Sequence, residues 1–470
     1  MNPPLWTAAE IAAATGGRVE GTWSVAGVSI DSRTVQPGEL FVALRGPRHD
    51  GHDFVRAALG RGAAALVERP PEGLRAGAPL VLVEDTLAGL TALGAAGRAR
   101  SRARIAAITG SVGKTGTKEA LRLALAGQAP THASAASHNN HWGVPLSLAR
   151  APRDSAYAIY ELGMNAPGEI GRLARLVRPQ VALITAIEAA HLGFFDSLDA
   201  IAEAKGEIFE GLEPGGTAVL NADNPYFGRL KALAEQAGAA RVVGFGANAT
   251  ADARLLEAGL EADGSDVRMT LDGRELRYRV GAPGRHWVQN SLAVLATAAA
   301  LGADPARAAE VLAGVRAPKG RGARHRIAWP GGAITLIDES YNANPASMRA
   351  ALALLDSAPG RRIAVLGDML ELGAHAPALH AALAEPIEQH RVDRVFTAGM
   401  EMRHLHDALP QERRGGHAGN AAAVLPLVRE ALRPGDTVLI KGSLGSAMGP
   451  LVEALLADAQ VEPAAEGVEP

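Results

Sequence analysis

From Arg104 onward the chain alternates short apolar runs with helical stretches: "RIAAITG", "KTGTKEALRLALAG", "YAIYELG", "VALITAI", "TAVLNAD" and "RVVGFG". Near-continuous apolar strands separated by helices imply a mainly parallel, doubly wound sheet. One stretch departs from this rule. "VRMTLDGRELRYRV" places Asp272-Gly273 between two alternating runs and predicts a hairpin. The helix "HWVQNSLAVLATAAALG" closes the unit.

At 470 residues the chain exceeds one ordinary core, and roughly one domain per 150 residues predicts about three. Residues 1–88 mix short β-like runs, as in "SVAGVSIDSRTVQPGELFVAL", with one helix ending near Gly62, which is the pattern of a small α/β module. "RAGAPLVLVEDTLAGL" reads as a strand leading into a linking helix, and the central domain is expected over 89–318. "RAPKGRGARHR", residues 316–326, is Gly- and Arg-rich and reads as a linker. A second α/β series follows, from "AITLIDES" to "DTVLIKGS", giving a third domain of nucleotide-binding type over 319–460. The acidic, Pro-containing tail 461–470 is expected to fray.

Hydrophobic residues at 47% and charged residues at 21% are an ordinary globular balance. The net charge is -3 and no Lys/Arg stripe is present, so neither nucleic acid nor an anionic membrane is an expected partner. The absence of cysteine removes disulfides, thiolate metal sites and cysteine nucleophiles. The first residues lack a basic segment followed by a long apolar one, and no later stretch has membrane-spanning length free of charge. A cytoplasmic protein acting on small molecules is expected.

"ITGSVGKTGTKEA" contains a phosphate-binding pattern with a shortened loop: Gly110 is separated from Gly113, Lys114 and Thr115 by only Ser111 and Val112. The strand before it and the helix after it let backbone N–H groups and a helix N-terminus converge on an anion. Lys114 can then reach the β- and γ-phosphates, and the Thr115 hydroxyl can bind Mg2+. A glycine turn with an incidental lysine shares the bare pattern but gives no reason for this context. Glu161 ends one apolar strand and His191 lies just beyond the next, at the sheet edge where ligands bind. Either alone reads as a solvated strand end. Together beside a phosphate loop they are candidate Mg2+ ligands, although oxygen is this ion's preferred donor. Lys205, taken alone in the helix "DAIAEAKGEIFEGL", reads as a surface lysine.

"TGSVGKTGTKEAL" resembles the ATP-binding loop of the Mur ligase family, whose members use the short spacing, and similar stretches extend over nearly the whole chain. The resemblance implies three domains: a small UDP-sugar-binding α/β domain, a central mononucleotide-binding sheet, and a Rossmann-like domain for the amine substrate. "AKGEIF" is similar to a signature whose lysine is carbamylated, so Lys205 is implied as an anionic Mg2+ ligand beside Thr115, Glu161 and His191. "SHNNHWGVPLSLAR" implies that Asn139 and Asn140 face the reacting phosphate, and "GRHWVQNSLAVLA" that His286 and Asn290 face adenine. Trp287 stands where many members carry Asn and is given no role. On the ATP side the resemblance adds Asp338, Tyr341 and Asn342, in "IDESYNANPASMRAAL", with Asn344 toward the substrate, while Arg321 of the linker before it is expected to meet ATP as the third domain swings about that hinge. Asp368 and Glu371 in "AVLGDMLELG" are implied to face the incoming amine, and Asp31, Ser32 and Arg33 to bind a UDP-sugar diphosphate, where an Arg fork of donors suits the anion.

The implied activity is ATP-dependent amide ligation in cell-wall synthesis by a monomer, giving ADP and phosphate. The C-terminal motifs are similar to those of the member that joins D-alanyl-D-alanine to UDP-N-acetylmuramoyl-tripeptide. A member that adds a diamino acid would show Asp-Asn-Pro-Arg in this domain, whereas the Asp-Asn-Pro at Asp223 to Pro225 lies in the central domain and precedes Tyr226. A nucleotide-switch ATPase would explain the phosphate loop but not the outer motifs. Three departures stand out: Leu444 for the usual Arg, Gly449 for the usual Glu, and Ala186 where relatives often have Asn. The first two leave Lys441 and Ser443 without an assigned role.

Overall fold

The computed structural model describes residues 4–46, 49–74, 77–135, 137–189, 193–195, 197–261, 263–356 and 358–458. The chain is mixed α/β with three main sheets, as expected. His191 and the tail 461–470 lie outside the described residues.

The strand Arg104–Thr109 occupies the middle of a nine-stranded sheet, parallel to Val181–Ile184 on one side and Tyr157–Glu161 on the other. Its side chains alternate between two cores. Ala106 and Ile108 pack with Leu121, Leu125 and Leu292 of the helices Lys114–Ala126 and Arg285–Ala300, while Ile105 and Ala107 pack with Ile170, Ile201 and Ile208 on the opposite face. Burial on both faces explains the continuous apolar run in this strand. Thr131–Ala133 forms one edge. Beyond Thr217–Asn221 and Arg241–Gly246 the sheet continues through Ala253–Glu261 into the antiparallel strands Gly264–Leu271 and Arg274–Val280. Asp272 at φ +49° and Gly273 at φ +78° form the hairpin turn expected from the sequence.

The third sheet has six strands, parallel except for Ala323–Trp329, which pairs antiparallel with Gly332–Glu339. This strand corrects the linker reading of 316–326, because residues from Ala323 onward already belong to the sheet. Its period-2 signal is short: Ile327 is buried between exposed Arg326 and Ala328, and the surrounding arginines mask that alternation in the sequence. The helix around Lys205 also differs from a single continuous helix. It runs over Leu198–Gly206 and then tightens into a 3-10 turn at Glu207–Gly211.

The amino-terminal sheet has five strands. It is fixed to the central unit by the helix Thr86–Arg100, whose Leu90 and Leu93 share a core with Leu146 and Ala149 of the helix Gly143–Ala149. Two glycines bring the helices together: a Cβ at Gly94 would lie 2.8 Å from the Pro145 carbonyl oxygen, and one at Gly97 would lie 2.5 Å from that of Leu148. The Trp6 indole N–H donates to the Ala149 carbonyl at 2.8 Å across the same seam.

This seam predicts the effect of Gly97→Ala. Helix propensity alone would favour alanine by about 1 kcal/mol, but backbone atoms cannot yield as a flexible side chain would, and overpacking costs about 1–3 kcal/mol. The expected outcome is a lower first unfolding transition in calorimetry. A stabilised variant would show that the seam is loosely packed.

Candidate active site

The shortened loop is held by the neighbouring strand exit. Gly110, at φ +149°, leaves no room for a side chain, since a Cβ there would lie 1.9 Å from Thr185 Oγ1. Ser111 N–H donates to the Ala186 carbonyl at 2.8 Å, and Ser111 Oγ exchanges bonds of 3.0 Å with the backbone of Glu188. Thr185 Oγ1 donates to the Val112 carbonyl at 2.6 Å. Gly113, at φ +83°, begins the helix against Asn290, whose Oδ1 would lie 3.0 Å from a Cβ at that position. Lys114 Nζ donates to the Gly110 carbonyl at 2.7 Å. Burial pulls its ammonium below the usual lysine range; Glu161 opposes this shift and Arg321 reinforces it.

Glu161 ends its strand with the carboxylate buried, 1% exposed. Thr115 Oγ1 donates to one oxygen at 2.9 Å and Asn139 Nδ2 to the other at 2.9 Å. Asn140 instead accepts Gly143 N–H at 2.9 Å and sets the start of the next helix. Lys205, 2% exposed, corrects the surface-lysine reading: the last turn of its helix points into the same site. Burial, followed by repulsion from Lys114, holds its ammonium well below the ordinary lysine range.

These groups line one cavity of about 990 Å3, together with residues of the third domain. Arg321 stacks 4.2 Å above the Tyr341 ring and donates to Ser137 Oγ at 3.4 Å, and Ser137 lies 3.3 Å from Thr115 Oγ1. His286, Asn290, Asn342 and Asn344 complete this side of the lining. Asn344 also bonds reciprocally with Ser347 at the start of the helix Pro345–Asp356. Asp338 lies behind the wall, where its carboxylate accepts Gly320 N–H at 2.9 Å and Ser340 Oγ–H at 2.6 Å and so shapes the turn that carries Arg321.

Two sets of expected residues lie outside this lining. Arg33 forks onto Asp31 at 2.9 and 2.8 Å in the amino-terminal domain, and this bond holds the Asp31 carboxyl down at about 2. Ser32 sits between them, its carbonyl accepting from Arg61 at 2.8 Å. Asp368 lines a second cavity of about 490 Å3 at the carboxyl edge of the third sheet, with Leu370, Leu425, Leu451 and several alanines and glycines. Glu371, at φ +64°, meets the central domain through its carbonyl, which accepts Gly193 N–H at 2.7 Å.

Several residues of the site had no role assigned from the sequence. Trp287 packs its ring against Gly116 of the phosphate-loop helix, where a Cβ would lie 2.9 Å away. Lys118, fully buried, donates to the Ser134 carbonyl at 2.5 Å and pairs with Glu119 at 3.0 Å. Lys441, also buried, donates to Glu339 and to the Asn342 carbonyl, each at 3.0 Å, on the cavity wall. Glu188 lines the cavity, and burial raises its carboxyl above the usual range.

No cluster of three or more His, Cys, Asp or Glu side chains capable of holding a metal occurs among the described residues. The donors present, the Thr115 hydroxyl and the Glu161 carboxylate, are oxygens placed beside a phosphate loop. They fit a hard cation that takes one or two protein ligands and completes its shell with phosphate and water.

The family model for the Mur ligase middle domain matches residues 108–298, that for the Mur ligase glutamate ligase domain matches 320–444, and that for the Mur ligase family catalytic domain matches 24–98. The chain is 36% identical over 431 residues to UDP-N-acetylmuramoyl-tripeptide--D-alanyl-D-alanine ligase of Escherichia coli, covering 91% of this chain and 93% of that protein. The Rickettsia prowazekii protein of the same name is 31% identical and covers 96% and 99%. The crystal structure of MurF from Acinetobacter baumannii superposes with a TM-score of 0.84 at 31% identity, over 96% of this chain and 99% of that one.

The site geometry predicts that Lys114→Ala abolishes nucleotide-dependent turnover. By analogy with removal of an oxyanion donor, the loss is on the order of 2.7 to 4 kcal/mol in the transition state. Thermal unfolding should change little, because the ammonium bonds only within its own loop. Near wild-type turnover would refute the phosphate-site reading.

Proposed function

This chain belongs to the Mur ligase family, and from that premise we propose that it joins D-alanyl-D-alanine to the terminal carboxylate of UDP-N-acetylmuramoyl-tripeptide at the expense of ATP. The observation that carries the reading is the convergence of Lys114, Thr115, Glu161 and Lys205 on one cavity closed by Arg321 and Tyr341. A carboxylate is a poor acyl donor, so its oxygen attacks the γ-phosphorus and forms an acyl phosphate and ADP. The dipeptide amine then attacks the acyl carbon and phosphate leaves. Lys114 and the loop amides are proposed to position the phosphates, Asn139 and Asn140 to face the reacting side, and His286, Asn290, Arg321, Tyr341 and Asn342 to flank the nucleotide; these side chains all line the one cavity. Such phosphoryl transfer is chiefly a task of positioning and charge stabilisation.

Thr115, Glu161, His191 and Lys205 as its carbamate are the proposed holders of Mg2+. When bound, Mg2+ supplies neutralisation of the charge that develops on the phosphoryl oxygens. Lys205 is suited to carbamylation because its depressed basicity leaves it more often as the neutral amine. That amine adds to CO2 and releases a proton, giving an anion in place of a cation. Asp31, Ser32 and Arg33 are the proposed diphosphate contacts, and Asp368, Glu371 and Asn344 face the amine and acceptor. The second cavity favours D-alanyl-D-alanine over a diamino acid: its lining is mostly small and apolar, and its charged residue is the single carboxylate Asp368. The protein is proposed to act as a monomer. No helix among the described residues is long and apolar enough to cross a membrane, and a cytoplasmic location is part of the proposal.

The decisive assay is phosphate release from ATP by the purified protein. Release should require both UDP-N-acetylmuramoyl-tripeptide and D-alanyl-D-alanine, with the UDP-pentapeptide as product. Release without either substrate would favour a nucleotide switch, and release supported by a diamino acid with UDP-muramoyl-dipeptide would favour the related ligase. Lys205→Ala should be nearly inactive and partly rescued by a short carboxylic acid that replaces the missing anion. Normal turnover of the unrescued alanine variant would return Lys205 to a packing role.

A further inference from the structure

The stretch Asp368 to Leu370, which borders the second cavity, has no regular secondary structure, yet its backbone is held in place. Asp368 Oδ1 accepts Met402 N–H at 2.8 Å, and its carbonyl accepts Ser443 N–H at 3.0 Å. Leu370 N–H donates to Ser443 Oγ at 2.9 Å, and Ser443 in turn donates to the Ala343 carbonyl at 3.3 Å. The Met369 N–H donates to Nε2 of His380 at 3.0 Å.

His380 lies fully buried in the short helix Ala376–Ala381, and its Nδ1 is 2.7 Å from the Ala376 carbonyl. A carbonyl only accepts, so Nδ1 carries the proton; an amide N–H only donates, so Nε2 carries the lone pair. Both ring nitrogens are thereby assigned, and the imidazole must be neutral for the loop to keep this shape. Burial lowers the basicity of the ring, and His404 acts in the same direction; the Ala376 carbonyl, Asp368 and Glu401 oppose it without reversing it. A phenylalanine would fill the space but leave the Met369 N–H buried without an acceptor.

We propose that His380 is a positioning residue for the amine substrate: its Nε2 fixes the Met369 amide and so holds Asp368 and Leu370 at the second cavity. The inference rests on the proposed ligase function and on the amine occupying that cavity. His380 acts through the loop and does not touch the reacting atoms. Its loss therefore acts selectively on the amine, because the phosphate loop, Glu161 and Lys205 belong to the central domain.

The test compares wild type, His380→Phe and His380→Gln at saturating concentrations of the other two substrates. Gln can present Oε1 near the position of Nε2. The Phe variant should raise KM for D-alanyl-D-alanine by about tenfold, the scale of one lost buried acceptor, with KM for ATP unchanged and with Gln recovering most of the difference. An unchanged amine KM in the Phe variant, or a uniform fall in kcat tracking its Tm, overturns the inference. Wild-type protein labelled at histidine nitrogen gives a readout that needs no folded variant. The His380 Nε2 signal should be that of an unprotonated acceptor and should shift when D-alanyl-D-alanine is added to the complex with an ATP analogue and UDP-muramoyl-tripeptide. A protonated Nε2, or no shift at saturation, overturns it as well. A wild-type protein that ligates no D-alanyl-D-alanine brings down the proposed function and this inference together; an active wild type with an unaffected Phe variant brings down the inference alone.

Discussion

The phosphate loop has only two residues between its glycines, and the site depends on the bonds that hold these two residues from outside. Ser111 and Val112 take their partners from the exit of the adjacent parallel strand, through Thr185, Ala186 and Glu188. The support is made mostly of backbone groups, so it tolerates Ala186 in place of a longer polar residue. It also fixes the loop relative to the sheet edge. That edge places the Thr115 hydroxyl against the Glu161 carboxylate and brings the last turn of the Lys205 helix to the same cavity.

Charge is distributed unevenly in this site. Glu161 is buried with neutral hydrogen-bond donors on both oxygens, an arrangement that keeps a carboxylate oriented without a direct ion pair. Burial lowers the basicity of both Lys114 and Lys205, and the charge of Lys114 lowers that of Lys205 further. Neutralisation of one lysine, or its conversion to an anion, relieves that repulsion. The same conversion supplies an oxygen ligand where Mg2+ is proposed to bind.

The two outer domains attach to this centre in different ways. The amino-terminal domain is seated by interdigitated helices, with Gly94 and Gly97 allowing backbone contact and Trp6 bonded across the seam. Among the described residues, polar contacts join the third domain to the central one: Arg321 to Ser137, and the Glu371 carbonyl to Gly193. Within the third domain, Ser443 joins the Ala343 segment beside the first cavity to the Leu370 segment beside the second. Substitution of Leu444 for the family's arginine therefore leaves the neighbouring serine with a clear structural task.

The sequence by itself determined the elements whose signals are local. The parallel central sheet followed from its apolar runs, the hairpin from Asp272-Gly273, and the phosphate loop from glycine spacing between a strand and a helix. Glu161 was legible because a strand end in a doubly wound sheet is a fixed kind of place. What the sequence could not show depends on distance across the fold. Apart from its motif, Lys205 looks like any helical lysine until the helix is packed against the cavity, and Trp287 has no visible role until Gly116 is found beneath its ring. Asp338 reads as an ATP-side residue, yet tertiary structure spends one of its oxygens on Gly320 in the turn before Arg321 and the other on Ser340. The strand Ala323–Trp329 was hidden because its arginines imitate a linker while a single isoleucine carries its burial. Periodicity and turn chemistry act between near neighbours and are written along the chain. Burial and hydrogen-bond partnership between remote residues arise only when the sheets and helices have closed.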